Sequence, residues 1–297
     1  MPNCLARTRT ASYFDDLNAA ASSNIASYLS KAAVLSLYKE VSLYPKPGLV
    51  SPIDSGSHVD MNYQMFLASI NSLRGYFGEI SRAGMAADDF SALQTLGIAA
   101  ETRMMQATRG VNTHRGAIFN LGLLCAAAGY LLYRDERLSP EAVGDVILEK
   151  WAPDILATGK TKAYGEYSHG QQVESKYGVH GARHEAVAGF PAARLYGLPS
   201  YRMALKETGC REASAVQALF SMMAYLDDTN ILWRGGEEGL RNVKIISRNF
   251  LDKGGVYAND WRIKAIQIHK LFVKKNLSPG GAADLLGVTL FMDAVCA

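Results

Sequence analysis

Cysteine, proline and net charge are all in short supply in this 297-residue chain. The four cysteines (Cys4, Cys125, Cys210, Cys296) are scattered without a C-x-x-C pair, which excludes a disulfide frame and a thiolate zinc site. A net charge of +3 is too mild for a nucleic-acid binder, and no Lys/Arg cluster interleaves with aromatics. No apolar run of signal-peptide length opens the chain, and the longest apolar stretch, 117–132, is interrupted by Asn120 short of a membrane span. A cytoplasmic protein with neither a membrane nor a nucleic-acid partner is the expectation. Several motifs are missing as well. Without G-x-G-x-x-G after a strand, G-x-x-x-x-G-K-[ST] or G-x-S-x-G, a Rossmann, P-loop or serine-hydrolase reading has no support. The absence of H-E-x-x-H and of an adjacent His-Asp pair speaks against a zinc protease and a helical phosphohydrolase.

What is present is helical spacing. With 48% hydrophobic residues the chain can bury a large core. Period-2 alternation is almost absent, and apolar residues recur at three and four. The reading is all-α: a single compact multi-helix domain of roughly ten or more helices over 24–297, after a loose N-terminal arm at 1–23. Helices are expected over 24–40, from an Asp60 N-cap to near Gly84, over 88–108, and over 114–133 capped by Thr113. Ser139-Pro140 should open one running to about 157. Further helices are expected at 168–177, at 183–196 with a kink or split at Pro191, and at 211–226, ended by Asp227-Asp228-Thr229-Asn230. The last three cover 237–251, 261–275 and 280–294, and residues 158–167 read as a mobile loop.

The polar groups gather at helix ends, so an active site built from loops at helix ends is expected. Residues 40–61 hold three of the nine prolines beside Glu40, Lys46, Asp54, His58 and Asp60. Proline stiffens such a loop without repeating hydrogen bonds. Ser278-Pro279-Gly280-Gly281, with Asp284 one turn in, resembles an anion seat at a helix start, or else a plain cap. Residues 108–116 join two helices with Arg109, Arg115, His114 and two glycines, a composition suited to phosphate. Asp227 and Asp228, placed at a helix C-terminus where the dipole disfavours them, suggest a divalent cation such as magnesium. Glu101 and Glu185 could face the same ion or solvent.

Taken together the motifs are more specific than any one. The chain resembles the triphosphoribosyl-dephospho-coenzyme A synthases, which make the prosthetic-group precursor of malonate decarboxylase and citrate lyase. The matching stretches are Glu40 with Tyr44-Pro45-Lys46-Pro47-Gly48-Leu49-Val50, Gly56-Ser57-His58 with Asp60-Met61, Glu101, and residues 110–119. They continue with Ser168-His169-Gly170, Gly181-Ala182-Arg183 with Glu185-Ala186, and Gly189-Phe190-Pro191. Asp228-Thr229-Asn230 with Arg234-Gly235-Gly236, then Ser278-Pro279-Gly280-Gly281 with Ala283-Asp284, complete the set. Arg109, His184 and Trp233 depart from the family pattern, so no family role passes to them. The wording at 44–51 and 96–101 is closer to the malonate branch.

The resemblance implies transfer of the triphosphoribosyl group of ATP to the ribose 2′-hydroxyl of 3′-dephospho-CoA, with loss of adenine and with Mg2+ present. The product would pass to a phosphoribosyl-dephospho-CoA transferase acting on the acyl-carrier subunit. On this basis Glu40, Asp228, Glu185 and His169 are catalytic candidates, and Asp60, Glu101, Asp228 and Asp284 metal candidates. The substrate side is assigned to Lys46, His58, Asn112, His114, Arg115, Arg183, Asn230, Arg234, Ser278, Gly280 and Gly281. A magnesium-dependent hydrolase of ADP-ribose-like glycosides and a non-catalytic chaperone of the acyl-carrier subunit are the two alternative readings.

Overall fold

The computed structural model describes residues 4–158 and 169–296. The described residues form fourteen α-helices and no strand, as the spacing implied. All but the first residue of the loop expected at 158–167 lies outside them. The first helix, α1 (Cys4–Ser42), already covers most of the stretch read as an arm.

Short polar side chains set most helix starts, though not always the expected ones. Asn62, not Asp60, caps α2 (Tyr63–Ser72): its Oδ1 accepts the Met65 N–H at 3.1 Å. A capping oxygen must sit on the residue just outside the helix to reach the second or third amide, and Asp60 is two positions too early. The single helix expected there breaks at Leu73, and α3 (Arg74–Ala86) follows. Asp89 caps α4 (Phe90–Ala107). The next helix, α5 (Arg115–Tyr133), starts after His114 rather than after Thr113, with the Asn112 Oδ1 accepting the Arg115 N–H at 3.1 Å. Ser139 caps α6 (Pro140–Lys150) as read, but Trp151 separates it from α7 (Ala152–Thr158).

After α8 (His169–Tyr177) and α9 (Ala182–Val187), the chain splits at Pro191 as expected. A π-helical turn (Ala192–Gly197) then leads into α10 (Leu198–Thr208), which continues beyond the helix end anticipated at Tyr196. Helix α11 (Arg211–Met223) precedes α12 (Thr229–Asp252), which begins eight residues before the expected Glu237 and absorbs a kink at Gly236 (φ 60°, ψ −163°). A 3-10 turn (Gly255–Tyr257), α13 (Trp261–Lys274) and α14 (Gly280–Val295) finish the chain.

Two helices form the centre. Helix α5 packs on α1, α3, α4, α6, α9 and α14, and α14 packs on α1, α5, α10, α11 and α12. Both are apolar nearly all round, the pattern of a helix enclosed by others. By length and composition α5 could cross a membrane, contrary to the sequence reading, but 72% of its apolar window is buried inside the fold. Its approach to α3 is so close that a Cβ on Gly84 would collide with the Ala126 carbonyl, so only glycine fits. This packing brings the starts of α5, α12 and α14 to the end of α1.

Candidate active site

Glu40 lies in the last turn of α1 and is 6% exposed. Its Oε1 takes the Lys46 ammonium at 2.6 Å, and Lys46 is itself buried. The proline loop that carries Lys46 is pinned on its far side. A Cβ on Gly48 (φ 67°) would collide with the Leu277 carbonyl oxygen, and the Ser57 hydroxyl donates to that same oxygen at 2.7 Å. His269 of α13, almost fully buried, bridges the Lys46 carbonyl (2.7 Å) and the Asp54 carboxylate (3.0 Å). Lys46 therefore reads as a buried counter-ion in a clamped loop. Asp54 belongs to the charged loop singled out in the sequence, but His269 does not, because a lone histidine on an amphipathic helix carries no sequence signal.

Asp228 is buried and saturated. Its Oδ1 accepts the N–H groups of Asn230 (2.9 Å) and Ile231 (3.3 Å), capping α12. Its Oδ2 accepts the Ala282 N–H at 2.9 Å, with the Gly281 amide also bonded to the carboxylate. One carboxylate thus serves the starts of two helices, where the positive dipole ends welcome it. The premise of the expected cation changes: Asp228 faces helix N-termini rather than a C-terminus, so its charge is accommodated there without a metal. It also fills the anion seat expected at Ser278–Gly281. The Gly281 amide bonds this carboxylate and the Gly280 amide bonds the Ser278 carbonyl (2.9 Å), so neither is open to a phosphate. Both glycines ease the approach, since a Cβ would lie 2.8 Å from Asn230 Nδ2 at Gly280 and 3.0 Å from Asp228 Oδ2 at Gly281 and those side chains would have to shift.

Asp284 is the opposite case. It has no hydrogen bond or ion pair among the described residues. Burial first, then the charges of Glu40 and Asp228, push its carboxyl well above the usual carboxylate range. Desolvation and like charge both favour the neutral acid. Its Oδ2 occupies the space that a Cβ on Gly116 would need, so a larger second residue of α5 would push the carboxylate from this position. Three carboxylates and one lysine therefore share a floor between the starts of α5, α12 and α14.

His114 belongs beside this floor. Buried, with Nδ1 2.7 Å from the Ser69 hydroxyl and its ring edge-on to Phe66, it leaves Nε2 without a partner among the described residues. Burial and the charge of Lys46 lower its pKa to about 3, so the ring is neutral at neutral pH. Ser69, too, carries no signal in the sequence.

The remaining candidates stand around the floor in pairs. Arg115, at the start of α5, is bonded to Glu101 on α4 (Nε to Oε1, 2.5 Å), so the two neutralise each other. Arg234 donates to the Ser57 carbonyl (2.8 Å) and to Asn276 Oδ1 (2.9 Å) and lies 3.1 Å from His58 Nδ1. His58 Nε2 meets the Ser278 hydroxyl at 2.8 Å, and Asp60, exposed, lies 3.7 Å from His58 Nδ1. Burial, with Arg234 next, lowers the pKa of His58 to about 4. Asn112 and Asn230 are exposed residues at the starts of α5 and α12. Glu185 accepts the Ala192 N–H at 2.6 Å, and burial raises its pKa. Its helix, α9, begins next to α12, with a Cβ on Gly181 placed 3.6 Å from Thr229 Cγ2. Burial lowers the pKa of Arg183 on the same helix. His169 opens α8. The electrostatic coupling runs among Glu40, Asp228 and Asp284, while Asp60 and Glu101 have other partners.

Mg2+ takes one or two carboxylates and completes its shell with water and phosphate oxygens. Asp284, without a hydrogen bond or ion pair among the described residues, fits that role; Glu40, the charge that acts on it most strongly, has Oε2 to spare. Such a floor can bind a cation carrying a polyphosphate and can stabilise positive charge developing on a bound ring.

The sequence model of the ATP:dephospho-CoA triphosphoribosyl transferase (CitG) family matches residues 26–297. A probable 2-(5″-triphosphoribosyl)-3′-dephosphocoenzyme-A synthase of Acinetobacter calcoaceticus is 42% identical over 264 residues, 89% of either chain. A Salmonella choleraesuis protein of the same name, numbered 1, is 38% identical over 278 residues, 91% of this chain and 92% of its own. One from Pectobacterium carotovorum is 36% identical over 259 residues, 85% and 84%. No solved structure matches.

Proposed function

We propose how the floor performs its reaction, on the premise that this chain belongs to the ATP:dephospho-CoA triphosphoribosyl transferase family and is a transferase. The reaction joins ATP to 3′-dephospho-CoA. The 2′-hydroxyl oxygen of dephospho-CoA forms a bond to C1′ of the ATP ribose as the bond from C1′ to adenine N9 breaks. The triphosphate stays on the transferred ribose, and the hydroxyl proton ends on the departing adenine.

The observation that carries this reading is the unbalanced floor. Breaking an N-glycosidic bond builds oxocarbenium charge on the ribose, and fixed carboxylates in a water-poor site stabilise such charge. Glu40 and Asp228 supply that potential from positions locked by Lys46 and by four backbone amides. Asp284, with Glu40 beside it, would hold Mg2+, which when bound neutralises triphosphate oxygens. Glu185, whose proton affinity is raised by burial, takes the hydroxyl proton; a base poised nearer the working pH is the more efficient one. Arg115 and Arg183 face the triphosphate, while Lys46 and Arg234 brace the walls. The metal and phosphate candidates are narrowed accordingly, because Asp60, Glu101, Gly280 and Gly281 are engaged elsewhere. The malonate decarboxylase acyl-carrier subunit is the proposed destination of the product, supported by the wording of residues 44–51 and 96–101.

The test is direct. Purified protein with ATP, Mg2+ and dephospho-CoA should release adenine and yield an adduct of mass equal to the two substrates less adenine. Adenine release without dephospho-CoA would make the protein a glycoside hydrolase instead, and no release at all would leave only a binding role.

A further inference from the structure

Outside the floor, one cluster of metal-ligating side chains has no part in the reaction above. Glu174 on α8, His180 in the turn after it and His184 in the first turn of α9 converge. The Glu174 Oε1 lies 3.4 Å from His180 Nδ1 and 3.9 Å from His184 Nδ1, and one ligand atom of each residue lies within 4.8 Å of the others. Gly178, at φ 66°, turns the chain at the end of α8, ahead of His180 and α9. The imidazole rings stack with centroids 3.8 Å apart and planes 27° apart.

We infer that Glu174, His180 and His184 form a binding site for a borderline transition-metal ion, of which Zn2+ is the type, with a fourth position open to water. Two neutral imidazole nitrogens and one carboxylate oxygen match the three-ligand zinc sets that keep an open position. Bonds of about 2.0–2.1 Å in a tetrahedron put ligand atoms about 3.3 Å apart, so the 3.4 and 3.9 Å separations need little contraction. Imidazole ligands favour Zn2+, Ni2+ or Cu2+ over Mg2+, which asks for oxygen, so this site and the floor select different ions. Without an ion the arrangement is poor: one carboxylate faces two stacked rings that would repel each other if both were charged. All three residues are at least partly exposed, with side-chain exposure of 63% for His180, 38% for His184 and 37% for Glu174, so an ion can enter from solvent. The bound ion would clip α8 to α9 beside Arg183, whose charge already interacts with Glu174.

The test uses untagged full-length protein stripped with a chelator and titrated with Co2+ or Zn2+ in excess Mg2+. One equivalent should bind, with Co2+ giving the visible bands of a four- or five-coordinate N/O site, and the midpoint of thermal unfolding should rise. His184→Ala and Glu174→Gln should each weaken binding at least about 10-fold, since even losing a ligand's supporting contact costs 10- to 100-fold. Unfolding midpoints of the metal-free variants, compared with the metal-free parent, separate ligand loss from misfolding. Uptake of no Co2+, or equal affinity in the parent and a His180→Ala/His184→Ala double variant, would overturn the assignment.

Discussion

The floor and the rim around it are both rich in charge, yet they are built on opposite principles. On the rim, charges meet opposite charges near water: Arg115 pairs with Glu101, and Arg234, held by Ser57 and Asn276, feels the charge of Asp60. On the floor, the buried Glu40 and Asp228 and the partly exposed Asp284 face one ammonium ion, and Asp284 has no hydrogen bond or ion pair among the described residues. Balanced sets at a surface hold walls in place at little gain or loss. An unbalanced buried set costs the fold free energy, and is kept where a substrate or cation restores the balance. The difference between the two regions separates scaffold from chemistry among residues that look alike in the sequence.

The sharpest way to break this contrast is to unbalance the floor further. Lys46→Met leaves Glu40 buried and unpaired, and should lower the unfolding free energy by about 3–5 kcal/mol in urea titration. Adding Glu40→Gln should recover most of that loss; a double variant as unstable as the single one would show that Lys46 acts by packing alone. Next in size, Asp284→Asn should cut adenine release on the order of 10²–10³-fold. The amide cannot ionise beside Glu40 and Asp228, so the cost that lifts the Asp284 pKa is absent and the variant's thermal midpoint should hold or rise. Lost activity with a lower midpoint would instead make Asp284 a structural acid.

Part of this contrast is legible in the sequence itself. The nearly all-apolar spacing of 115–133 marks a central helix, and Ser139-Pro140 marks a helix start, because these signals are local. Asp228 shows where local reading stops. Asp227-Asp228-Thr229-Asn230 follows one apolar helix, so it reads as that helix's end, yet Asp228 is the cap of the next. Only the packing of α12 against α14 decides which amides it meets. For the same reason Ser278-Pro279-Gly280-Gly281 reads as an anion seat or a plain cap, while the carboxylate that meets the start of α14 comes from 54 residues before Ala282. His269, Ser69 and the role of Gly116 are illegible, since each depends on one contact across the chain.

A subtler test concerns Glu185, intermediate between floor and rim. Its neutral form is favoured by burial, so between pH 4.5, its ordinary value, and its raised value the fold holds more protons than the unfolded chain. Stability should therefore fall as pH rises through that window, while activity, needing the ionised base, should rise. Glu185→Gln should flatten both slopes. If activity kept its acid limb in that variant, another group would be the base.

The smallest effect belongs to the rim. Glu101→Gln removes one partner of a pair in which Arg115 is still 42% exposed, so its loss should change stability by no more than about 1 kcal/mol. The released guanidinium is then free to meet a polyphosphate, so KM for ATP should stay level or drop modestly while kcat holds. A fall in kcat as large as that of Asp284→Asn would erase the boundary between rim and floor. It would mean that Glu101 reaches the reacting ribose or its cation once substrate is bound, and that Arg115 only masks a fourth catalytic acid.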